Sequence, residues 1–240
     1  MASPLDLQEQ EQLDTLKALW KQYGNLVTWL LILVLGGFAA WNGWQWYQRD
    51  QGVKAAAMFD ELDRAARAGD LDKATRVFAD MQQRFAGTAF TQQAGLQTAR
   101  VQVDKGQLDA AVATLGWVAD KAVEAEARTV ARLRLAAVLL EQKKHDEALK
   151  ALDGATAPDF APLVADRRGD VLRAQGKASE ALAAYKTAWA GLSADQDYRR
   201  VVEAKLMALG APPTPVAGVI ADAAAATAAA PTAAASGASK

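Results

Sequence analysis

The chain has 240 residues, 51% apolar and 23% charged, which is enough to bury one sizeable core and argues against a wholly disordered polymer. Its 27 basic and 28 acidic side chains leave a formal charge of −1, so no broad positive field exists to gather nucleic acid. Cysteine is absent, which excludes disulfides, cysteine-based zinc sites and thiol catalysis and leaves the redox compartment open.

The first element is a membrane span. Between Tyr23 and Tyr47 no side chain is ionisable at neutral pH. Leu26 to Trp46 is 21 residues, long enough at about 1.5 Å per residue to cross a hydrocarbon layer of roughly 30 Å. The Thr28 hydroxyl can bond back to its own helix, and Trp41, Trp44, Trp46 and Tyr47 form an aromatic belt at the exit, with Arg49 and Asp50 beyond it. The stretch is apolar all round and runs into tryptophans instead of a small-residue cleavage site, so it reads as an anchor and not as a cleaved signal or a core helix. Gly36 with Ala40, and Ala39 with Gly43, make small faces that would admit a second helix, although lipid contact alone explains them. Lys17 and Lys21 precede the span, whereas Arg49, Lys54, Arg64 and Arg67 follow it, so a positive-inside count favours an exported N-terminus. Long following domains cross largely regardless of charge, and the count leaves topology open.

Beyond the span one pattern recurs four times: AGDLDKA at 68–74, KGQLDAA at 105–111, QKKHDEA at 142–148 and QGKASEA at 175–181. Gly69, Gly106, Lys143 and Gly176 are spaced 37, 37 and 33 residues apart, the period of a two-helix repeat with a turn at each of these residues. Five positions later come Ala74, Ala111, Ala148 and Ala181; nine positions later come Phe78, Leu115, Leu152 and Tyr185. Seven positions before the turn lie Leu62, Ala99, Ala136 and Gly169, of which only Leu62 is large. Asp72, Asp109, Asp146 and Ser179 fall near the start of each second helix, where a short acceptor or negative charge satisfies free N–H groups.

This is the tetratricopeptide pattern of small and large positions without its full tryptophan and proline complement. The expected fold is all-α: a single N-terminal transmembrane helix, then helical hairpins stacked as a right-handed superhelix that share one core. The organisation expected is an N-terminal segment over 1–23, a transmembrane helix over 24–47, the repeat domain over 48–210 and a tail over 211–240. Tyr198 to Leu209, with Tyr198, Val201, Val202, Leu206 and Leu209 on one side, fits a capping helix. The tail is rich in alanine and proline and reads as mainly disordered, with room for a transient helix near Ile220 to Ala230.

Catalytic and cofactor chemistry finds no foothold in the pattern. His145 is the sole histidine and falls in the third turn, the glycines are isolated helix stops with no phosphate-binding loop, and the carboxylates lie on polar helix faces. No cofactor, metal or nucleic acid is expected, and the chain reads as a protein-binding module. The first helix of each hairpin lines the concave face of such a stack. That places Leu96, Arg100, Val103 and Asp104 there, then Leu133, Ala137 and Glu141, then Asp166, Asp170 and Arg173, as candidate contacts for another protein.

Two segments carry a resemblance to a known family. EQLDTLKALWKQYG at 11–24 leads into the Gly- and Trp-rich anchor, and FAPLVADRRGDVLRAQGK at 160–177 places Ala165, Asp166, Arg168, Gly169 and Gly176 in a specific order. Over about residues 9–209 the chain resembles the YfgM family, tetratricopeptide-repeat ancillary subunits of the bacterial SecYEG translocon. The Ala/Pro tail and lysine in place of glycine at Lys143 depart from that pattern. The resemblance implies an inner-membrane protein with a cytoplasmic N-terminus and a periplasmic repeat domain. It implies association with SecYEG and with a PpiD-like periplasmic chaperone, and a role in passing secretory clients to periplasmic chaperones. The rival reading is a membrane-tethered scaffold for envelope or division complexes with no part in export.

Overall fold

The computed structural model describes residues 7–212, and the tail beyond 212, with the transient helix expected there, lies outside the described residues. Nine α-helices are present among them, with no strand. The first, α1 (Leu7–Arg67), runs unbroken for 61 residues, so the expected boundaries at 23/24 and 47/48 mark changes of composition inside a continuous backbone. It contains one stretch long and apolar enough to cross a membrane. Apart from the half-buried Val27, its apolar side chains from Leu26 to Trp46 are exposed, as a lipid-facing surface requires. Thr28 Oγ1 donates to the Gly24 carbonyl at 2.7 Å, the local satisfaction that an isolated hydroxyl needs in lipid.

The far third of α1 doubles as the first helix of the repeat stack. Ala55, Leu62 and Ala65 are buried against α2 (Leu71–Arg84) and α3 (Ala89–Asp104). The row continues with α4 (Leu108–Lys121), α5 (Ala125–Glu141), α6 (His145–Asp153), a short 3₁₀ turn at Pro158–Phe160, α7 (Ala161–Ala174) and α8 (Ala178–Gly191). It closes with α9 (Asp197–Ala208), the cap expected from the sequence. Val202 and Leu206 are buried beneath α9, whereas Val201, which the sequence pattern assigned to the same stripe, is exposed. It lies one residue, a rotation of about 100°, from Val202.

Each turn has one construction. Gly69, Gly106, Lys143 and Gly176 all take positive φ, and Gly210 repeats the geometry after α9. In each, the residue after the turn donates its N–H to the carbonyl five back: Asp70 to Ala65, Gln107 to Gln102, Lys144 to Leu139, Lys177 to Leu172 and Ala211 to Leu206. These are Schellman closures, which satisfy the last carbonyls of a helix and require a left-handed residue. Glycine adopts that conformation freely; Lys143, at φ 61°, does so against its own Cβ.

The packing positions follow the period. Ala74, Ala111, Ala148 and Ala181 are fully buried, and Phe78, Leu115, Leu152 and Tyr185 fill the space beside them. Gly169 is the extreme small residue: a Cβ there would sit 2.5 Å from the Tyr185 ring. In the first unit, where Leu62 replaces the small residue, the accommodation moves to the neighbouring helix. Gly95 on α3 admits the Phe78 ring, 2.9 Å from where its Cβ would be, and Trp117 packs edge-on to Phe78 at 5.5 Å.

The acidic residues expected to cap the second helices act differently. Asp70 caps α2 by accepting from the Lys73 N–H, while α4, α6 and α8 have no side-chain cap. Asp109 and Asp146, one residue inside their helices, instead accept from Gln142 Nε2 and Gln175 Nε2 of the following unit, each at 2.9 Å. The turn of one hairpin is thereby tied to the next.

Candidate functional site

Along the row α1 touches α3, α3 touches α5 and α5 touches α7, while the even-numbered helices make no comparable contact with one another. The stack therefore curves towards its odd-numbered helices, and their outward surfaces line its inner face. Of the ten residues expected on that face, the structure gathers Leu96, Arg100, Val103, Asp104 and Ala137 into one groove between α3 and α5. Two adjoining cavities form it. One of about 570 Å³ is flanked by Arg67, Gln97, Arg100 and Arg134. The other, about 370 Å³, is lined by the apolar Val103, Leu115, Ala137 and Val138 and shares Arg100, Asp104 and Arg134 with the first.

Arg134 was missed in the sequence, although it lies 37 residues after Gln97 and so occupies the same repeat position. Its Nη1 donates to the Leu96 carbonyl of α3 at 3.2 Å, which holds the guanidinium over the groove. Partial burial, together with the positive charge of Arg100, pulls its pKa down from the usual arginine value. Gln97 donates to Asp63 at 2.6 Å; that bond, aided by Arg67, holds the Asp63 carboxyl below the usual carboxylate range. Asp63 thus offsets Arg67, whereas Arg100 and Arg134 make no ion pair among the described residues.

The remaining candidates fall elsewhere. Leu133 lines a separate cavity of about 590 Å³ with Pro162, Leu163, Leu192 and Tyr198. Glu141 and Arg173 are exposed at the turn ends of α5 and α7. Asp166 is 1% exposed and is withdrawn from any partner, a correction to its expected role as a contact. Tyr198 donates to it at 2.6 Å and Lys205 at 2.8 Å, both from α9. Lys205 also pairs with Asp170 at 2.7 Å, and Tyr185 donates to Asp170 at 2.9 Å. Burial and then these carboxylate bonds push both tyrosine hydroxyls up from their ordinary value. The two aspartates hold the capping helix in place, and only a partly exposed edge of Asp170 remains on the surface.

Among the described residues no group of three or more His, Asp or Glu side chains is placed to hold a metal ion. Fold and groove together define a membrane-anchored helical-repeat protein of the tetratricopeptide type. A family model described as a tetratricopeptide repeat-like domain matches residues 17–211. A Neisseria gonorrhoeae protein named ancillary SecYEG translocon subunit is 33% identical over 204 residues, covering 85% of this chain and 98% of that one. Proteins of the same name from Escherichia coli K12 and Haemophilus influenzae are 29% and 27% identical, covering 78% and 71% of this chain and 88% and 83% of theirs. Two crystal structures of TPR-like repeats from Podosopora anserina superpose with TM-scores of 0.50 and 0.51 at 16% identity. They cover 65% of this chain and 85% and 84% of theirs, and at that identity they show the fold alone. The chain belongs to the YfgM family, and the three relatives above carry the name ancillary SecYEG translocon subunit.

Proposed function

We propose that the chain is an ancillary subunit of the SecYEG translocon whose inner groove holds emerging secretory polypeptides beside the membrane. The observation that carries this is the unbroken α1. Tyr47, at the aromatic exit of the span, lies only eight residues before Ala55, the first fully buried repeat residue, a rise of about 12 Å along the helix. Arg67 of the same helix flanks the groove between α3 and α5, 20 residues and about 30 Å along the axis from Tyr47, which sets the groove beside the membrane within reach of a chain leaving a channel. In this reading residues 1–23 are cytoplasmic, 24–47 span the inner membrane and 48–210 form the periplasmic domain. The role is binding, not catalysis: the protein passes its clients to periplasmic chaperones together with a PpiD-like membrane-anchored partner.

The test is purification of the full chain from membranes in mild detergent. Recovery of translocon subunits and the PpiD-like chaperone supports the reading; recovery of division or envelope proteins alone overturns it in favour of a scaffold. Orientation is checked separately by a reporter active only in the periplasm, fused after Gly210: activity is expected, and a stable but silent fusion reverses the topology.

A further inference from the structure

We infer that the groove between α3 and α5 selects extended polypeptide segments in which an acidic side chain lies two positions from an apolar one, with Arg100 and Arg134 receiving the carboxylate. This rests on the client-holding function proposed above and names the class of client. Arg100 and Arg134 line both cavities, and neither takes part in an ion pair among the described residues. Arg67 and Lys205, by contrast, are met by carboxylates: Arg67 by Asp63 at 2.7 Å and Lys205 by Asp166 and Asp170. Two guanidiniums kept side by side repel, and the α5 member is anchored to a backbone carbonyl that leaves its charge uncompensated. An incoming carboxylate relieves that repulsion and accepts the forked N–H groups that arginine presents.

The floor supplies the second half of the specificity. Val103 and Ala137, both half-buried, give an apolar surface directly beside the arginines, over the buried Leu115 and Val138. In an extended chain residues i and i+2 project to one side, so a carboxylate at i and an apolar side chain at i+2 enter together. Asp104 shares the rim of both cavities. Its negative charge disfavours a doubly charged phosphate while leaving a net positive site for a single carboxylate.

The experiment uses the full chain in detergent micelles and an end-blocked fluorescent peptide with Glu and Leu two positions apart in a Ser/Gly background. Binding is read by anisotropy at low salt. Replacing the peptide's Glu with Gln should weaken binding about tenfold, the worth of one charge-assisted pair, and replacing Leu with Ser should weaken it as well. Arg100→Gln and Arg134→Gln should each bring the Glu peptide to the affinity of the Gln peptide and leave the Gln peptide unchanged. Arg134→Lys, which keeps the charge, should recover part of the preference. Arg100 makes no hydrogen bond or ion pair among the described residues, so Arg100→Gln decides the matter should Arg134→Gln lose helicity. Equal affinity for Glu and Gln peptides, or a preference indifferent to Arg100→Gln, overturns the inference. Translocon recovery by the full chain without any Glu preference sinks this inference alone; a Glu preference that tracks Arg100, without translocon recovery, sinks the proposed function and supports this one.

Discussion

Lys205→Met tests whether the polar cluster under α9 is what keeps the stack closed. The substitution keeps an unbranched apolar stem and removes the ammonium that lies within 2.8 Å of both Asp166 oxygens and 2.7 Å of Asp170. Two carboxylates are then left facing each other, one of them 1% exposed. Breaking a buried pair from one side costs about 3–5 kcal/mol, and because Lys205 retains 21% exposure the lower end, about 3 kcal/mol, is expected. Burial of Val202 and Leu206 stabilises α9 by about 4 kcal/mol on the usual area scale, so the loss nearly cancels the docking of the helix.

A repeat stack opens locally, which makes hydrogen exchange on the full chain in detergent the appropriate assay. Protection over Asp197–Ala208 should fall by about a hundredfold, while α3 and α4 keep theirs. Asp166→Asn combined with Lys205→Met should cost less than Lys205→Met alone, because asparagine still accepts from Tyr198 and no uncompensated charge stays buried at that position. Unchanged α9 protection in the single variant, or equal losses in single and double variants, would refute the reasoning.

Lys143→Gly should stabilise the third hairpin by about 1 kcal/mol, since it relieves a left-handed residue carrying a Cβ, and Gly106→Ala should destabilise its own turn by a similar amount; urea unfolding of both variants checks the opposite signs. Gly169→Ala gains about 1 kcal/mol of helix propensity yet places a methyl 2.5 Å from the Tyr185 ring. Tyr185 is fully buried and bonded to Asp170, so overpacking should prevail by about 1–2 kcal/mol, visible as a lowered melting temperature. The Tyr185 and Tyr198 hydroxyls titrate higher folded than unfolded, so their contribution is complete below about pH 10 and is lost as pH rises towards the folded values. Thermal melts at pH 9, 10 and 11 should show that decline, and Tyr198→Phe should flatten it.

Much of this architecture is legible in one sequence because its determinants are local. A left-handed turn residue, an alanine five positions on and a large side chain nine positions on recur together, since each hairpin solves the same packing problem within about 35 residues. Even the lysine that breaks the glycine pattern takes the turn conformation, because the Schellman closure around it fixes the backbone. The anchor is legible for a related reason: lipid demands apolar length, and length can be counted.

Tertiary structure alone decided which charges are free. Asp166 and Arg100 look alike in sequence, each a charged residue on the first helix of a hairpin, yet one is sealed by Tyr198 and Lys205, about 30 to 40 residues away, and the other makes no ion pair among the described residues. Arg134 enters the groove through a carbonyl 38 residues distant, and Asp109 serves the next turn instead of its own helix. Periodicity specifies which face a residue occupies. Whether its charge is compensated depends on partners that only the stacking of separate hairpins brings within reach.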